Sequence, residues 1–134
     1  MAIQTKQQKR AEFALNALNE FKITGVPSET ATFIVGMPNM ILSNGLGQSL
    51  AFLKAKSSKK ERNFVFNVLK KYLCEEYSSE FSKEPDDYSF LKKLNELDQA
   101  QYIKMQEEVL RMLEWLKRYA RAFEKDSKKD KSEA

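Results

Sequence analysis

Histidine is absent from the 134 residues, and cysteine and tryptophan occur once each. The missing imidazole removes the commonest general base, the commonest metal ligand and every Ser-His or Cys-His nucleophile pair. A single cysteine, Cys74, forms no internal disulfide, and its place in Tyr72-Leu73-Cys74 suits a small buried apolar residue. Four glycines and three prolines leave little material for a phosphate-cradling loop. Gly45-Leu46-Gly47 begins like a dinucleotide fingerprint, but Leu50 stands where its third glycine belongs. No apolar run approaches the roughly 18–20 residues that span a bilayer, and Met1 to Arg10 is too polar for a signal peptide. A cytoplasmic protein with no membrane partner is the expectation. Acid pairs at Glu75-Glu76, Asp86-Asp87 and Glu107-Glu108 point about 100° apart on a helix and do not face one reacting atom. Neither an enzyme, nor a cofactor, nor a metal site is expected.

What remains is 42% apolar and 31% charged, with a mean hydropathy of −0.60, which suits one soluble globular domain. Apolar residues recur at three and four positions throughout, and glycine and proline fall between such segments. The expected fold is therefore all-α, a single compact bundle of five to seven helices over residues 1–124, with a charged tail over 125–134.

The first helix is expected over Thr5 to Phe21, stopped by Gly25-Val26-Pro27. Ser28 is expected to cap a short helix through Val35, with Gly36-Met37-Pro38 breaking it and Pro38 opening another that ends at Asn44-Gly45. The pattern resumes at Leu46. Ser58 and Glu61 have the form of a capping box for a helix that runs to about Phe81. A further helix is expected over Tyr88 to Leu97, and Asp98 is placed to cap a long last one. That helix carries Tyr102, Met105, Val109, Met112, Leu116, Tyr119 and Phe123 on one stripe and Ile103, Leu110 and Leu113 on a second. Trp115 lies off the main stripe and is the candidate partner-facing residue.

The formal net charge of +4 is unevenly spread. Residues 54–71 hold seven lysines and arginines against Glu61 alone, whereas residues 72–100 hold eight acids against three lysines. A basic and an acidic region are expected, the basic one suited to phosphates as point charges without base reading. Solvated lysines, or a basic face meeting an acidic protein partner in a helical adaptor, remain open on these grounds.

One segment is more particular: Pro38-Asn39-Met40-Ile41-Leu42-Ser43-Asn44-Gly45-Leu46-Gly47-Gln48-Ser49-Leu50-Ala51-Phe52-Leu53-Lys54-Ala55-Lys56. It closely resembles the central signature of the small subunit of the type III-B CRISPR effector, the Cmr complex. Weaker similarity extends to Gln8 through Ala14, Leu69 through Leu73 and Glu114 through Ala120, so about residues 5–123 are covered. The resemblance implies a non-catalytic helical subunit that packs in several copies as a minor filament beside crRNA-bearing backbone subunits and lines the groove for target RNA. Its implied partners are the backbone and large subunits, copies of itself, and crRNA or target RNA through backbone contacts. Cleavage and cyclic oligonucleotide synthesis in that family belong to other subunits.

Within the motif, Asn44-Gly45 is expected to turn the chain, Leu46, Leu50 and Phe52 to bury the corner, and Asn44 and Gln48 to satisfy backbone groups there. Pro38, Ile41 and Gly47 complete the motif. Charge clustering, together with the resemblance, nominates Arg10, Lys54, Lys56, Lys59, Lys60, Arg62, Lys117, Arg118 and Arg121 for phosphate contact. Lys83 to Asp98 matches no pattern of the family.

Overall fold

Thr5 opens the first helix with a reciprocal cap: its hydroxyl accepts from the Gln8 N–H, and the Gln8 side chain accepts from the Thr5 N–H. In the computed structural model, which describes residues 3–22 and 25–125, this helix, α1 (Lys6–Ala17), tightens into a 3₁₀ turn over Leu18–Phe21. Then follow α2 (Ser28–Asn44), α3 (Leu46–Ala55), α4 (Lys60–Glu76), α5 (Asp87–Glu96) and α6 (Gln99–Ala122). The described residues contain no strand, which agrees with the all-helical expectation and its long last helix. None of their helices is long and apolar enough to cross a membrane.

α6 is the axis. Met105, Val109, Met112, Leu113, Leu116 and Ala120 are all buried along it, and it packs most extensively against α1 and α2. Beyond its end, the Val26 N–H donates to the Phe123 carbonyl at 3.1 Å and the Lys125 N–H to the Val26 carbonyl at 2.6 Å, which ties the start of α2 to the close of α6. The proposed tail from residue 126 onward lies outside the described residues. Ile103 is 47% exposed, so only Leu110 and Leu113 of the second stripe pack inward.

Three expected boundaries are corrected. Gly36-Met37-Pro38 does not break α2, which runs through Pro38. An interior proline removes one donor and crowds the carbonyl a turn earlier, at a cost of about 3 kcal/mol. The stripe Ala31, Ile34, Met37, Pro38 and Ile41 keeps helical spacing straight across it, and all five are buried. Breaking the helix would expose half of that stripe. Nor does Ser58 cap α4. Lys59, in an extended conformation, holds the cap position with no side-chain hydrogen bond, and Glu61 pairs with Arg62 instead. α4 also ends at Glu76, earlier than expected, and Asp86 and Asp98 cap α5 and α6 through the N–H groups of Ser89 and Gln101.

The Asn44-Gly45 corner between α2 and α3 is where a side-chain-bearing residue is strained: Gly45 has φ 86° and ψ 161°, a region almost reserved for glycine. α3 lacks a cap of its own. Gln106 on α6 accepts from the Leu46 N–H at 2.8 Å, and the Tyr102 hydroxyl accepts from the Gly47 N–H at 2.6 Å. A Cβ on Gly47 would stand 3.1 Å from that hydroxyl. Leu46 and Leu50 are fully buried, as expected. The roles given to Asn44 and Gln48 are corrected: both are exposed and make no side-chain hydrogen bond among the described residues. Phe52 is corrected too, being 37% exposed rather than filling the corner.

Candidate nucleic-acid interface

The turn between α3 and α4 is closed by a chain of backbone hydrogen bonds. The Lys56 N–H donates to the Phe52 carbonyl at 3.1 Å, Ser57 to Lys54 at 3.2 Å, Lys59 to Lys56 at 3.0 Å and Asn63 to Lys59 at 3.0 Å. These bonds fix the backbone that carries Lys56, Lys59 and Lys60. All three are exposed, and none has an ion pair among the described residues.

Neighbouring cations are not equivalent to them. Lys54 and Lys70 converge on Asp87 of α5, at 2.6 and 2.9 Å, and their hydrogen bonds hold that carboxyl below the usual aspartate range. The acidic stretch after residue 72 therefore folds back on part of the basic one. Glu76 takes Lys6 in the same way. The Arg62 guanidinium pairs with Glu61 and lies 4.8 Å from the centroid of the Phe33 ring and 5.9 Å from that of Phe52, within cation–π range of both. Its Nε is buried with no hydrogen-bond partner.

Arg10 is removed from the phosphate-facing set, because it is 7% exposed and committed to an internal anion. Its Nε and Nη2 reach the two oxygens of Glu108 at 2.6 and 2.9 Å, and the Tyr72 hydroxyl donates to the same carboxylate. Burial pushes the Glu108 carboxyl up, but the hydrogen bonds from Arg10 and Tyr72 outweigh it and hold the group below its ordinary value. Burial also drives the Tyr72 hydroxyl far above its usual range, so the phenol stays protonated and donates. One carboxylate thus joins α1, α4 and α6.

Trp115 is half-buried. Its Nε1 donates to the Gln7 side chain at 3.1 Å, and its ring stacks on Tyr119 at 5.9 Å. It lines a notch of about 580 Å³ with Arg111 and Arg118. Lys117 pairs with Glu114, and Arg121 with Glu124, whereas Arg118 is exposed with no ion pair among the described residues. These three sit on the last turns of α6, separate in sequence from the α3–α4 turn. The structure thus divides the nominated cations into an exposed group at that turn with no ion pair among the described residues, a set tied to internal acids, and a group on α6.

A larger open groove, about 1080 Å³, runs between α1, the start of α2 and α4. Phe21 and Phe64 form part of its floor, and Lys59, Lys60 and Lys71 share its rim with Glu29. Cys74 is half-buried and its thiol is pushed up by burial. The described residues hold no group of three or more Cys, Asp or Glu placed to bind a metal ion. The paired acids instead have structural tasks: Asp86 caps a helix, Asp87 holds two lysines, and Glu108 holds Arg10.

Sequence reasoning missed Tyr102, Gln106, Asp87 and Glu108 as organising residues. For Glu108 a signal was present, since it stands three positions after Met105 on the apolar stripe, where a charge needs a partner. For Asp87 no local signal existed, because its lysines are 33 and 17 positions away. A family model described as CRISPR-associated protein (Cas_Cmr5) matches residues 6–123. No curated protein matches the chain.

Proposed function

Because the chain belongs to the Cas_Cmr5 family of CRISPR-associated proteins, we propose that it is the non-catalytic small subunit of an RNA-guided type III-B Cmr complex. In this role it packs beside the backbone and large subunits and further copies of itself, and lines the path of the target RNA. It holds the strand through phosphate contacts and leaves sequence selection to base pairing with the guide. The observation that carries this reading is the α3–α4 turn: three exposed ammonium groups, Lys56, Lys59 and Lys60, on backbone fixed by its own hydrogen bonds and without a counter-ion among the described residues. A backbone ordered before binding loses less freedom when a phosphate arrives, so less of the attraction is spent on ordering the chain. The absence of histidine supports a non-catalytic role.

The test is binding of single-stranded RNA by the purified protein across a salt series. Log affinity should fall against log salt by about 0.7 per phosphate contacted. Replacing Lys56, Lys59 and Lys60 by glutamate should leave the helical signal intact, weaken binding at least about tenfold and flatten that slope by about 2. Salt-independent binding, or unchanged retention of target RNA by a complex carrying the triple variant, refutes the reading.

A second reading, a helical adaptor that docks a protein subunit, is favoured by the aromatic-floored groove beside α4. Undiminished co-purification with the other subunits after nuclease treatment, lost on Phe21→Ser, supports it.

A further inference from the structure

Phe52 does not do what an apolar residue in an apolar corner ordinarily does. Its neighbours Leu46, Leu50 and Leu53 are fully buried, yet Phe52 keeps 37% of its surface in water. Core packing therefore leaves much of this ring unexplained, and an exposed phenyl group carries a hydration cost in the free protein. Its surroundings give the exposure a direction. Four residues on stands Lys56, just past the end of α3, whose N–H donates to the Phe52 carbonyl. Lys59 follows across the tight turn, and three residues after it Arg62 sets its guanidinium 5.9 Å from the centre of the Phe52 ring.

Arg62 is itself held in place. Phe33 lies 4.8 Å from the guanidinium carbon, Glu61 takes Nη1, and Nε is shut away from solvent. A guanidinium that lies over the Phe33 ring and within cation–π range of Phe52 backs the Phe52 ring, beside lysines that have no ion pair among the described residues. Flat π-surfaces edged by cations match a single-stranded polynucleotide: unpaired bases stack on aromatic rings and guanidinium planes while the phosphates meet ammonium groups. A duplex has no free base faces to offer, and an acidic peptide has charge but no ring to stack.

We infer that Phe52, supported by Arg62, is a stacking platform for an unpaired base of the RNA whose phosphates reach Lys56, Lys59 and Lys60. This rests on the polynucleotide reading above and deepens it: the base that stacks is one left unpaired by the guide, and base-dependent, sequence-tolerant affinity is added to the salt-dependent part.

The experiment compares three probes on the full chain: a short oligouridylate, an abasic ribose–phosphate oligomer of equal length and charge, and oligoglutamate. The wild type should bind oligouridylate about five- to a hundredfold more tightly than the abasic oligomer, the range that one base stacked on an aromatic supplies. Phe52→Ala should abolish that preference and leave the salt slope unchanged. Phe52→Leu retains apolar bulk without a π-face and should behave the same, which keeps the test decisive if the alanine variant folds poorly. Phe52→Trp should retain the preference. Equal affinity of the wild type for oligouridylate and the abasic oligomer, or a preference that survives Phe52→Leu, overturns the platform. Oligoglutamate bound as tightly as oligouridylate overturns it in favour of an acidic protein partner. The two levels separate cleanly. If the lysine variant matters and Phe52 does not, only the stacking fails, whereas indifference to the lysines removes the polynucleotide reading itself.

Discussion

Replacing Glu108 by glutamine should be among the most damaging single changes in this protein. Both partners of the Arg10–Glu108 pair have side chains only 9% exposed, and the carboxylate is the shared acceptor for two guanidinium N–H groups and the Tyr72 hydroxyl. Glutamine keeps the shape but supplies one acceptor oxygen, and its amide hydrogens face donors. Arg10 is then left charged, largely out of water and unneutralised. Removing one member of such a buried pair costs about 3–5 kcal/mol. In a domain of this length each kcal/mol moves the melting temperature by about 3–5 °C, so E108Q should melt about 10–20 °C below the wild type. Urea unfolding followed by circular dichroism gives the free energy directly. The same logic predicts a rescue, since Arg10→Met with Tyr72→Phe and Glu108→Leu removes every polar group of the cluster and should regain most of the loss. The cluster also shapes the response to acid. Glu108 titrates lower when folded than when unfolded, so its contribution is fully present above the ordinary glutamate range and disappears as pH falls through the lowered folded value. The triple variant should therefore show a shallower acid limb. An E108Q protein within about 1 kcal/mol of the wild type at neutral pH would refute the account of this cluster, because the buried-pair penalty it invokes is several times larger.

Other expectations concern the corner and the charge balance. Tyr102→Phe and Gln106→Ala should each cost about 1 kcal/mol in urea unfolding, because each orphans an N–H at the start of α3. Gly45→Ala should cost about 1–3 kcal/mol, since its backbone sits where a side chain is strained; a neutral result would mean that the corner relaxes freely. Asp87→Asn frees Lys54 and Lys70 and should strengthen single-stranded RNA binding severalfold at low salt, with a slope steeper by about 0.7–1.4. Weaker binding by this variant in a salt titration would count against a phosphate-facing role for that edge.

Much of the architecture was legible because it depends on local spacing. The stripes of α4 and α6, the Asp98 cap and the Asn44-Gly45 corner follow from apolar period and turn chemistry within a few residues. Pro38 was misleading because its local penalty is real, yet it is outweighed by burial on a helix face that extends to both sides. Ser58 misled in the opposite way, since its spacing to Glu61 fitted a cap but Arg62 drew the carboxylate away. At the candidate interface, the list of cations could be read from composition, but their sorting could not. Whether a lysine meets a phosphate or an aspartate depends on what α5 brings against it, and only the fold decides that. Arg10 was misjudged for this reason: its partner Glu108 lies 98 positions away.

The elbow at Gly45 is finished by atoms that the ribosome makes late. The two donors at the start of α3 wait for acceptors 60 and 55 positions downstream, and the first helix waits longer still for Glu108. An emerging chain therefore holds its signature corner without these acceptors until Tyr102 and Gln106 have been synthesised. The corner that carries α3 toward the lysine-bearing turn is thus completed from α6, an element made after it.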